Sequence, residues 1–277
     1  MARPAPALLA ALAAVVLLST PADRALADAP GALTGLDDRF RLSGRVGVQV
    51  LDYREEFGDI ESEYTSVGPA LGLAASLRLT ERLQVNGDYL GSRILEREET
   101  WDNVRTGLTE QENDLRVAFH VFDLDVGYAV VRTPGLEWAL AAGWHYYAQD
   151  FTRSNFRPSG GIPDLSPVDE EVRGQGVKLG ATLEGRPSNR LAWLGSLAGY
   201  YLYRVDVDNT RDGEFESEGV GLRWGLALDY VLTPQVTLGL GYDGHLIAVE
   251  EAETAGGILP RNRTQAHTLS GRVGVRF

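Results

Sequence analysis

Apolar and polar residues alternate along most of this chain, as they do in β-strands with two different faces. From Leu269 to Phe277 the odd positions are apolar or glycine, whereas Arg272 and Arg276 stand at even positions. Successive side chains of a strand point to opposite faces, so one face of this segment is apolar and the other is charged. The alternation recurs in four further stretches: 40–53, 66–79, 220–232 and 236–245. The pattern predicts an all-β protein made of long strands.

Two kinds of connection separate these stretches. Short ones are rich in residues that pre-set φ or tolerate positive φ, and they contain Thr80–Arg82, Thr133–Gly135, Pro187–Asn189 and Thr233–Pro234. Long ones are acidic and irregular, and they span about 54–61, 96–113, 150–170, 206–218 and 250–264. Four short turns interleaved with five long loops predict ten strands, with eight or twelve as alternatives. Short periplasmic turns and long extracellular loops are typical of a transmembrane antiparallel up-and-down β-barrel.

The beginning of the chain predicts export. Arg3 precedes an unbroken apolar run, Ala7–Leu18, and Ala25–Ala27 is a small-residue cleavage site, as in secretory signal peptides. A membrane helix needs about 20 apolar residues, which neither this run nor any later one provides, so a membrane-embedded mature chain would have to be a closed barrel. We expect a signal peptide at 1–27, a short periplasmic tail at 28–38 and a barrel at 39–277, located in the outer membrane of the Gram-negative cell envelope.

The apolar residues of each strand are expected to face lipid, and the polar and small residues to fill a narrow lumen. Two segments depart from this rule. The segment 119–125 changes parity midway, which predicts a β-bulge, and Leu194, Ala198 and Leu202 place apolar side chains on the lumen face. Aromatic residues near the strand ends predict two interfacial girdles, formed by Trp138, Trp193 and Tyr230 near the turns and by Tyr53, Tyr89, Trp144, Tyr146, Tyr201 and Tyr203 toward the loops.

The charge and the residue types exclude several classes of function. A net charge of −13 argues against nucleic acid, whose phosphates need a basic face. The chain has no cysteine, so disulfides and a cysteine nucleophile are excluded. No Gly-x-Ser-x-Gly elbow occurs, and the four histidines show no metal-ligand spacing, so we expect neither a metal nor a cofactor. The acidic loops are expected to be solvated, or to concentrate cationic peptides or divalent cations.

Register arithmetic across the turns predicts one polar cluster in the lumen. Its expected members are Arg45, Arg223, Asp243, His245 and Arg272. Buried charges must be paired, so we interpret the cluster as a structural ion network. The alternative is a pH-sensitive plug or a selectivity ring around His245.

Two features resemble known barrels. A terminal strand that ends on an aromatic residue, here Phe277, resembles those of bacterial outer-membrane barrels and implies recognition by the barrel assembly machinery; outer-membrane lipid and lipopolysaccharide are the other implied partners. Ten strands with five long loops resemble the omptins, which are outer-membrane proteases. The stretches similar to that family are Leu90–Arg93, Leu136–Gly143 and Asp229–Gln235. The resemblance implies an Asp pair in the second loop, facing an Asp–His couple in the fourth across a nucleophilic water.

The protease residues of that family are not matched. Asp102 is the only aspartate in the heart of the second loop, and the fourth loop has Asp206 and Asp208 but no histidine. Isolated carboxylates titrate too low to activate water at neutral pH. We therefore predict a non-enzymatic, porin-like outer-membrane barrel, structural or surface-interacting, and leave open the passage of small solutes. The alternatives are an omptin-like surface protease that uses Asp102, Asp206 and Asp208, and a selective narrow channel.

Overall fold

The computed structural model describes residues 39–161, 166–211, 213–254 and 257–277. The predicted signal peptide and periplasmic tail, residues 1–38, lie outside the described residues, as does Asp212 of the fourth acidic loop. Within the described residues no helix is long and apolar enough to span a membrane.

Twelve strands are described, and ten of them form a closed antiparallel barrel. The remaining two form a small hairpin between β9 and β12. The barrel strands are β1 (Phe40–Phe57), β2 (Ile60–Arg78), β3 (Leu83–Asn103), β4 (Leu108–Thr133), β5 (Leu136–Pro158), β6 (Val168–Ser188), β7 (Leu191–Asn209), β8 (Gly213–Val231), β9 (Val236–Val249) and β12 (Arg261–Arg276); the hairpin consists of β10 (Ala252–Thr254) and β11 (Gly257–Leu259). The predicted fold class and the count of ten barrel strands are confirmed.

Each barrel strand pairs with its neighbours in sequence, and β1 closes the ring against β12. At this seam Arg45 lies opposite Arg272. The end of the last strand is held by Phe277, whose backbone N–H donates to the carbonyl of Phe40 at 2.9 Å. The two rings pack 5.8 Å apart. In a ring of ten, strands five places apart lie on opposite walls, so β1 faces β6, β8 faces β3 and β5 faces β12.

The two ends of the barrel differ. The four predicted short turns fall between the strands at one end, which we call the turn end. At the opposite, loop end, the predicted irregular loops are wrong in extent, because the strands continue almost to their tips. For example, β1 ends at Phe57 and β2 begins at Ile60, and β3 ends at Asn103 and β4 begins at Leu108. Glycine at positive φ allows such tight reversals, as at Gly58 (φ 58°) and Gly107 (φ 67°).

Side chains alternate between an apolar outer belt and a filled lumen. The belt includes Leu179 (68 % exposed) and Leu240 (64 %). Above the belt the outward positions become charged, whereas the inward positions stay buried. On β1 the change falls between outward Val50 and outward Asp52, while Leu51 and Tyr53 point inward and are almost fully buried. The strands therefore rise above the apolar belt as a second, charged tier with an enclosed core.

Two local predictions are corrected. Residues 119–125 pair with β3 and β5 without a bulge, because Phe119 and Val121 point inward with Asp123, in one continuous parity. At the height of Phe119 and Val121 the lumen is lined by apolar side chains, whereas the sequence predicts polar and small side chains throughout the lumen. Tyr53 does not belong to an outer girdle, since its ring is 2 % exposed inside the barrel.

Candidate functional site in the lumen

Near the turn end, ion pairs cross the lumen. Arg41 Nη1 lies 2.7 Å from Glu184 Oε2 on the opposite wall. Arg78 contacts Glu137 at 3.0 Å. A cavity of about 270 Å³ extends from Arg41, Glu137 and Glu184 to Arg223. The turn-end half of the lumen therefore contains free space.

A buried network of three cations and four carboxylates crosses the barrel above this cavity. Arg223 places its two terminal nitrogens 2.6 Å from Asp88, on the opposite wall, and 2.6 Å from Asp123. Arg45 contacts Asp88 at 2.6 Å and Asp243 at 3.1 Å. Each arginine thus joins carboxylates from separate strands, as buried charges require. The members of this central network are Arg45, Asp88, Asp123, Asp125, Lys178, Arg223 and Asp243.

A histidine–carboxylate couple adjoins the central network. His145 Nδ1 lies 2.7 Å from Asp123 Oδ1, and the imidazole is fully buried. The ring stacks on Tyr200 with centroids 3.8 Å apart. Within the described part of the chain, Nε2 of His145 has no hydrogen-bond partner. The couple has the parts of a general base, but it lies inside a filled lumen.

The other three histidines lie elsewhere in the barrel. His245 is 1 % exposed and packs edge-on against Phe119, with centroids 5.9 Å apart. His120 and His267 face outward, where their Nδ1 atoms contact the hydroxyls of Tyr89 (2.9 Å) and Tyr242 (2.6 Å). All four histidines of the sequence are therefore either enclosed in the lumen or on the outer wall.

An apolar layer fills the lumen between the central network and the loop end. Its side chains come from strands around the ring, and the largest of them are at most 2 % exposed. They include Leu51, Leu90, Ile94, Phe119, Val121, Tyr147, Phe151, Leu202 and Ile247. Leu259 of the β10–β11 hairpin, 3 % exposed, packs into the same cluster from the last loop.

A second buried charge cluster lies at the loop end, in the charged tier. Arg153 of β5 contacts Glu99 at 2.9 Å, Glu55 at 3.1 Å and Glu170 at 3.6 Å. Its guanidinium also lies 5.8 Å from the ring centroid of Trp101. Neutral donors complete the cluster, since the side-chain amides of Asn113 and Asn209 donate to Glu99 and Glu170 and the hydroxyls of Ser62 and Tyr53 donate to Glu99 and Glu55. We call the four charged residues, Arg153, Glu55, Glu99 and Glu170, the loop-end cluster.

One cation among three carboxylates shifts the pKa values of this cluster. Burial raises the pKa of Glu55 to about 7; Arg153 opposes this rise, whereas the charges of Glu170 and Glu99 add to it. Burial by itself would lower the pKa of Arg153, but the three carboxylates outweigh it and hold that pKa well above its ordinary value. Glu55 therefore stays protonated to a higher pH than an ordinary glutamate, beside an arginine that remains charged.

The predicted lumen residues are placed as follows. Arg45, Arg223 and Asp243 belong to the central network. His245 lies opposite Arg223 in register, and within the described residues neither of its ring nitrogens has a hydrogen-bond partner. Arg272 lies nearer the turn end, 3.8 Å from Asp229, and does not reach Asp243 as the register arithmetic predicted. The reason is that its strand partner on β9 is Gly239, four residues closer to the turn.

The loop carboxylates considered for a protease do not converge. Asp102 accepts from the Thr109 hydroxyl at 2.7 Å on the outer face. Asp206 and Asp208 also lie outside the barrel, because the residues that alternate with them, Val205 and Val207, point inward. Among the described residues, no group of histidine and acidic side chains is suited to hold a metal.

Sequence reasoning missed most of the central network and the whole loop-end cluster. The alternation of lumen-facing positions is enough to identify Asp88, Asp123, His145 and Lys178 as lumen residues. Arg153 and its carboxylates were missed because residues of the acidic segments were all assigned to solvated loops. Contacts between opposite walls follow from barrel closure and tilt, which no turn in the sequence specifies.

Comparisons with known proteins identify the fold. No protein-family model and no curated protein sequence matches the chain. The outer-membrane protease OmpT from Escherichia coli is similar in structure, with a TM-score of 0.64 at 12 % identity, over 87 % of this chain and 97 % of OmpT. This likeness shows the fold of an outer-membrane β-barrel of omptin-like shape.

Two further outer-membrane barrels are only distantly similar. The translocator domain of the autotransporter NalP from Neisseria meningitidis has a TM-score of 0.41 at 13 % identity, over 98 % of this chain and 97 % of that domain. The attachment invasion locus protein Ail of Yersinia pestis has a TM-score of 0.31 at 9 % identity, over 86 % and 98 %.

Proposed function

We propose that this chain is an outer-membrane barrel with a closed lumen, and that its role is structural or surface-interacting. The observation that carries the proposal is that side chains cross the lumen at several heights. Arg41 meets Glu184 near the periplasmic end and Arg223 meets Asp88 above it, each pair joining opposite walls. Gln149 and Thr264, also on opposite walls, bond at 2.9 Å further up.

The outer belt supports the location in a membrane. Leu71, Leu179, Leu240 and Leu269 are each more than 60 % exposed, on strands distributed around the ring. Proteins in water rarely expose a continuous apolar surface of this extent. Exposed Trp138 and Tyr230 near the turns, together with outward aromatic residues at the upper edge of the belt, match interfacial girdles.

The filled lumen argues against the channel and small-solute passage. Planar-bilayer recording of the refolded protein tests this directly. The protein is delivered in vesicles that fuse with the bilayer, and protease protection verifies its insertion in those vesicles. We expect no conductance steps at any applied voltage. Reproducible single-channel steps from inserted protein would overturn the closed lumen and favour a selective narrow channel.

The outer wall of the charged tier supports the surface-interacting part of the proposal. Asp150, Glu171, Asp208 and Glu214 stand directly opposite one another on four consecutive strands, β5 to β8, and Arg173 pairs only with the first two. Like charges in adjacent cross-strand positions raise the local concentration of cations. A cationic peptide or divalent cations in the medium would therefore gather on this side of the barrel.

A peptide-cleavage assay tests the enzyme alternative. The refolded protein is incubated with basic peptides, alongside the Asp102→Ala and Asp206→Ala variants. We expect no cleavage above background, because the loop carboxylates point away from one another and no histidine adjoins them. Reproducible cleavage that is lost in either variant would contradict the proposal and restore the omptin-like protease.

A further inference from the structure

The cavity in the turn-end half of the lumen is closed at its upper side. Its volume is about 270 Å³. Asp88, Lys178 and Arg223 of the central network form its upper boundary, and the apolar layer fills the barrel above them. Its walls are open to solvent at the turn end, since the side chain of Arg41 is 25 % exposed and that of Arg272 is 18 % exposed. A solute therefore enters the cavity from the turn end.

Positive charge is in excess around this cavity. Below the central network, six arginine side chains meet three carboxylates among the described residues. The arginines are Arg41, Arg78, Arg132, Arg186, Arg272 and Arg276, and the carboxylates are Glu137, Glu184 and Asp229. This excess stands in a chain whose overall charge is −13. A concave surface with an excess of one sign raises the local concentration of ions of the opposite sign, here anions.

Arg272 is only weakly paired with a carboxylate. Its Nε lies 3.8 Å from Asp229 Oδ1, which is too long for a hydrogen bond. Within the described residues its guanidinium makes no side-chain hydrogen bond. Gly241 on the neighbouring strand β9 leaves room for the side chain, because a Cβ there would lie 2.9 Å from Arg272 Cδ. The guanidinium therefore lines the cavity with donors that a ligand can use.

The rest of the lining combines neutral polar groups with apolar side chains. Six hydroxyl and amide side chains line the cavity and make no side-chain hydrogen bond in the part of the chain that the structure describes: Ser43, Ser76, Gln84, Thr182, Ser196 and Thr237. Ala141 of β5 and Ala192, Leu194 and Ala198 of β7 provide an apolar surface. A cation, neutral hydrogen-bonding groups and an apolar wall are the components of a pocket for a small organic anion.

We propose that the turn-end cavity binds a small solute that carries a carboxylate, and that Arg272 holds this carboxylate. The forked N–H donors of a guanidinium match the two oxygens of a carboxylate. The apolar wall formed by β5 and β7 contacts the body of the solute. The entry of the solute from the periplasm rests on the membrane orientation proposed above.

The pairing of the other cations favours a carboxylate over a phosphate. Arg41 lies 2.7 Å from Glu184, and Arg223 lies 2.6 Å from Asp88 and from Asp123. A carboxylate brings one negative charge to Arg272, whereas a phosphate brings nearly two. An inorganic anion would also leave the apolar wall without a contact.

The test compares 4-fluorobenzoate with its neutral isostere 4-fluorobenzamide. The refolded full chain in a neutral detergent is titrated with each compound, and the ¹⁹F NMR shift reports binding after subtraction of the shift in empty micelles. The Arg272→Gln variant removes the cation. The Ala141→Leu variant narrows the cavity without changing its charge, and Gly127 and Gly180 beside Ala141 leave room for the larger side chain.

The matched control is Arg190→Gln, which changes an exposed arginine at the same end of the barrel. Arg190 donates to the Tyr230 hydroxyl at 3.2 Å on the outer wall and does not line the cavity. Circular dichroism verifies that each variant is folded.

We expect 4-fluorobenzoate to bind the parent and Arg190→Gln alike. It should bind Arg272→Gln about tenfold or more weakly, because a charge-assisted contact is lost, and Ala141→Leu should also bind it more weakly. The neutral amide should bind all of these proteins weakly. Equal binding of the acid and the amide, or unchanged binding by folded Arg272→Gln, would overturn the site. If Arg272→Gln does not fold, unchanged binding by Ala141→Leu would overturn it.

Two further measurements separate the sources of failure. Displacement of 4-fluorobenzoate by inorganic phosphate at equal concentration would overturn the carboxylate assignment. Absence of binding together with absence of bilayer conductance would overturn only this inference. Conductance steps with Arg272-dependent binding would overturn the closed lumen and support the site.

Discussion

Arg223 shows how much one lumen side chain holds together. Its guanidinium contacts three carboxylates from three strands, Asp88, Asp123 and Asp243, at 2.6 to 3.1 Å. Removing one partner of a buried ion network leaves uncompensated charges. Loss of one partner therefore destabilises the folded barrel, although the complete network adds little stability of its own.

Replacing this residue gives the first prediction. The Arg223→Met variant should lose about 3–5 kcal/mol of unfolding free energy, because it leaves buried carboxylates without their cation. Denaturant unfolding in detergent measures the loss. The matched control is Arg204→Met, whose ion pair with Asp206 is half exposed on the outer wall and should cost about 1 kcal/mol or less. Equal losses in the two variants would contradict this account of the central network.

Glu55 gives a prediction with a defined pH window. Its pKa is raised to about 7 in the folded barrel, mainly by burial, and is about 4.3 in an unfolded chain. The folded state therefore binds more protons between these values, so the contribution of Glu55 to stability is present below about pH 4.3 and is lost as pH rises through about 7. Unfolding midpoints of the parent should fall relative to those of Glu55→Gln across this window. The control Glu56→Gln, on the exposed outer face of the same strand, should follow the parent, and parallel curves for the parent and Glu55→Gln would refute the assignment.

Single positions also show where sequence reasoning succeeds and fails. Alternation was enough to assign Arg45, Arg223 and Asp243 to one lumen face. It could not reveal Asp88 as the common partner of the two arginines, because β3 meets β1 and β8 only across the lumen. Tyr53 was misassigned because an aromatic residue near a strand end has the same pattern whether it faces lipid or a core; its inward parity was the neglected signal.

At the scale of elements, the strands continue well beyond the apolar belt. Acidic composition suggested solvated loops, yet in the segment 54–61 and its counterparts the charges occupy the outward positions while apolar or bonded side chains occupy the inward ones. The length of a strand therefore depends on the residues of its inner face. The overall composition of a segment does not reveal which residues these are. Turn positions were predictable, since proline, glycine and threonine mark them directly.

Gly174 of β6 tests the packing of the apolar layer. A Cβ at Gly174 would occupy the place of the Tyr147 ring, which is fully buried in the apolar layer. The Gly174→Ala variant should therefore cost about 1–3 kcal/mol through overpacking. The control is Gly44→Ala, where an added methyl group meets nothing within 4 Å. Guanidinium unfolding of both variants measures the difference, and a neutral Gly174→Ala would show that the ring has room to move.

At the scale of the whole molecule, the outer belt decides which solvent the barrel needs. Charged residues at the lipid face cost about 2–4 kcal/mol for arginine at the bilayer midplane. The Leu179→Arg variant should show a loss of this size in vesicles, because Leu179 is 68 % exposed in the belt. The control Val104→Arg, 58 % exposed in an extracellular turn, should be close to neutral. A neutral Leu179→Arg would mean that this surface does not contact hydrocarbon.

The joint between the first and last strands is the place where a barrel of this kind would open sideways. Arg45 reaches past both neighbours of β1, to Asp88 on β3 in one direction and to Asp243 on β9 in the other. Separating β1 from β12 would therefore pull the Arg45 guanidinium away from the Asp243 carboxylate inside the bilayer. The joint is held by this ionic bridge as well as by its backbone hydrogen bonds, so a lateral exit for lipid or peptide between these strands is disfavoured, and their amide protons should exchange with water as slowly as those of the wall across the lumen.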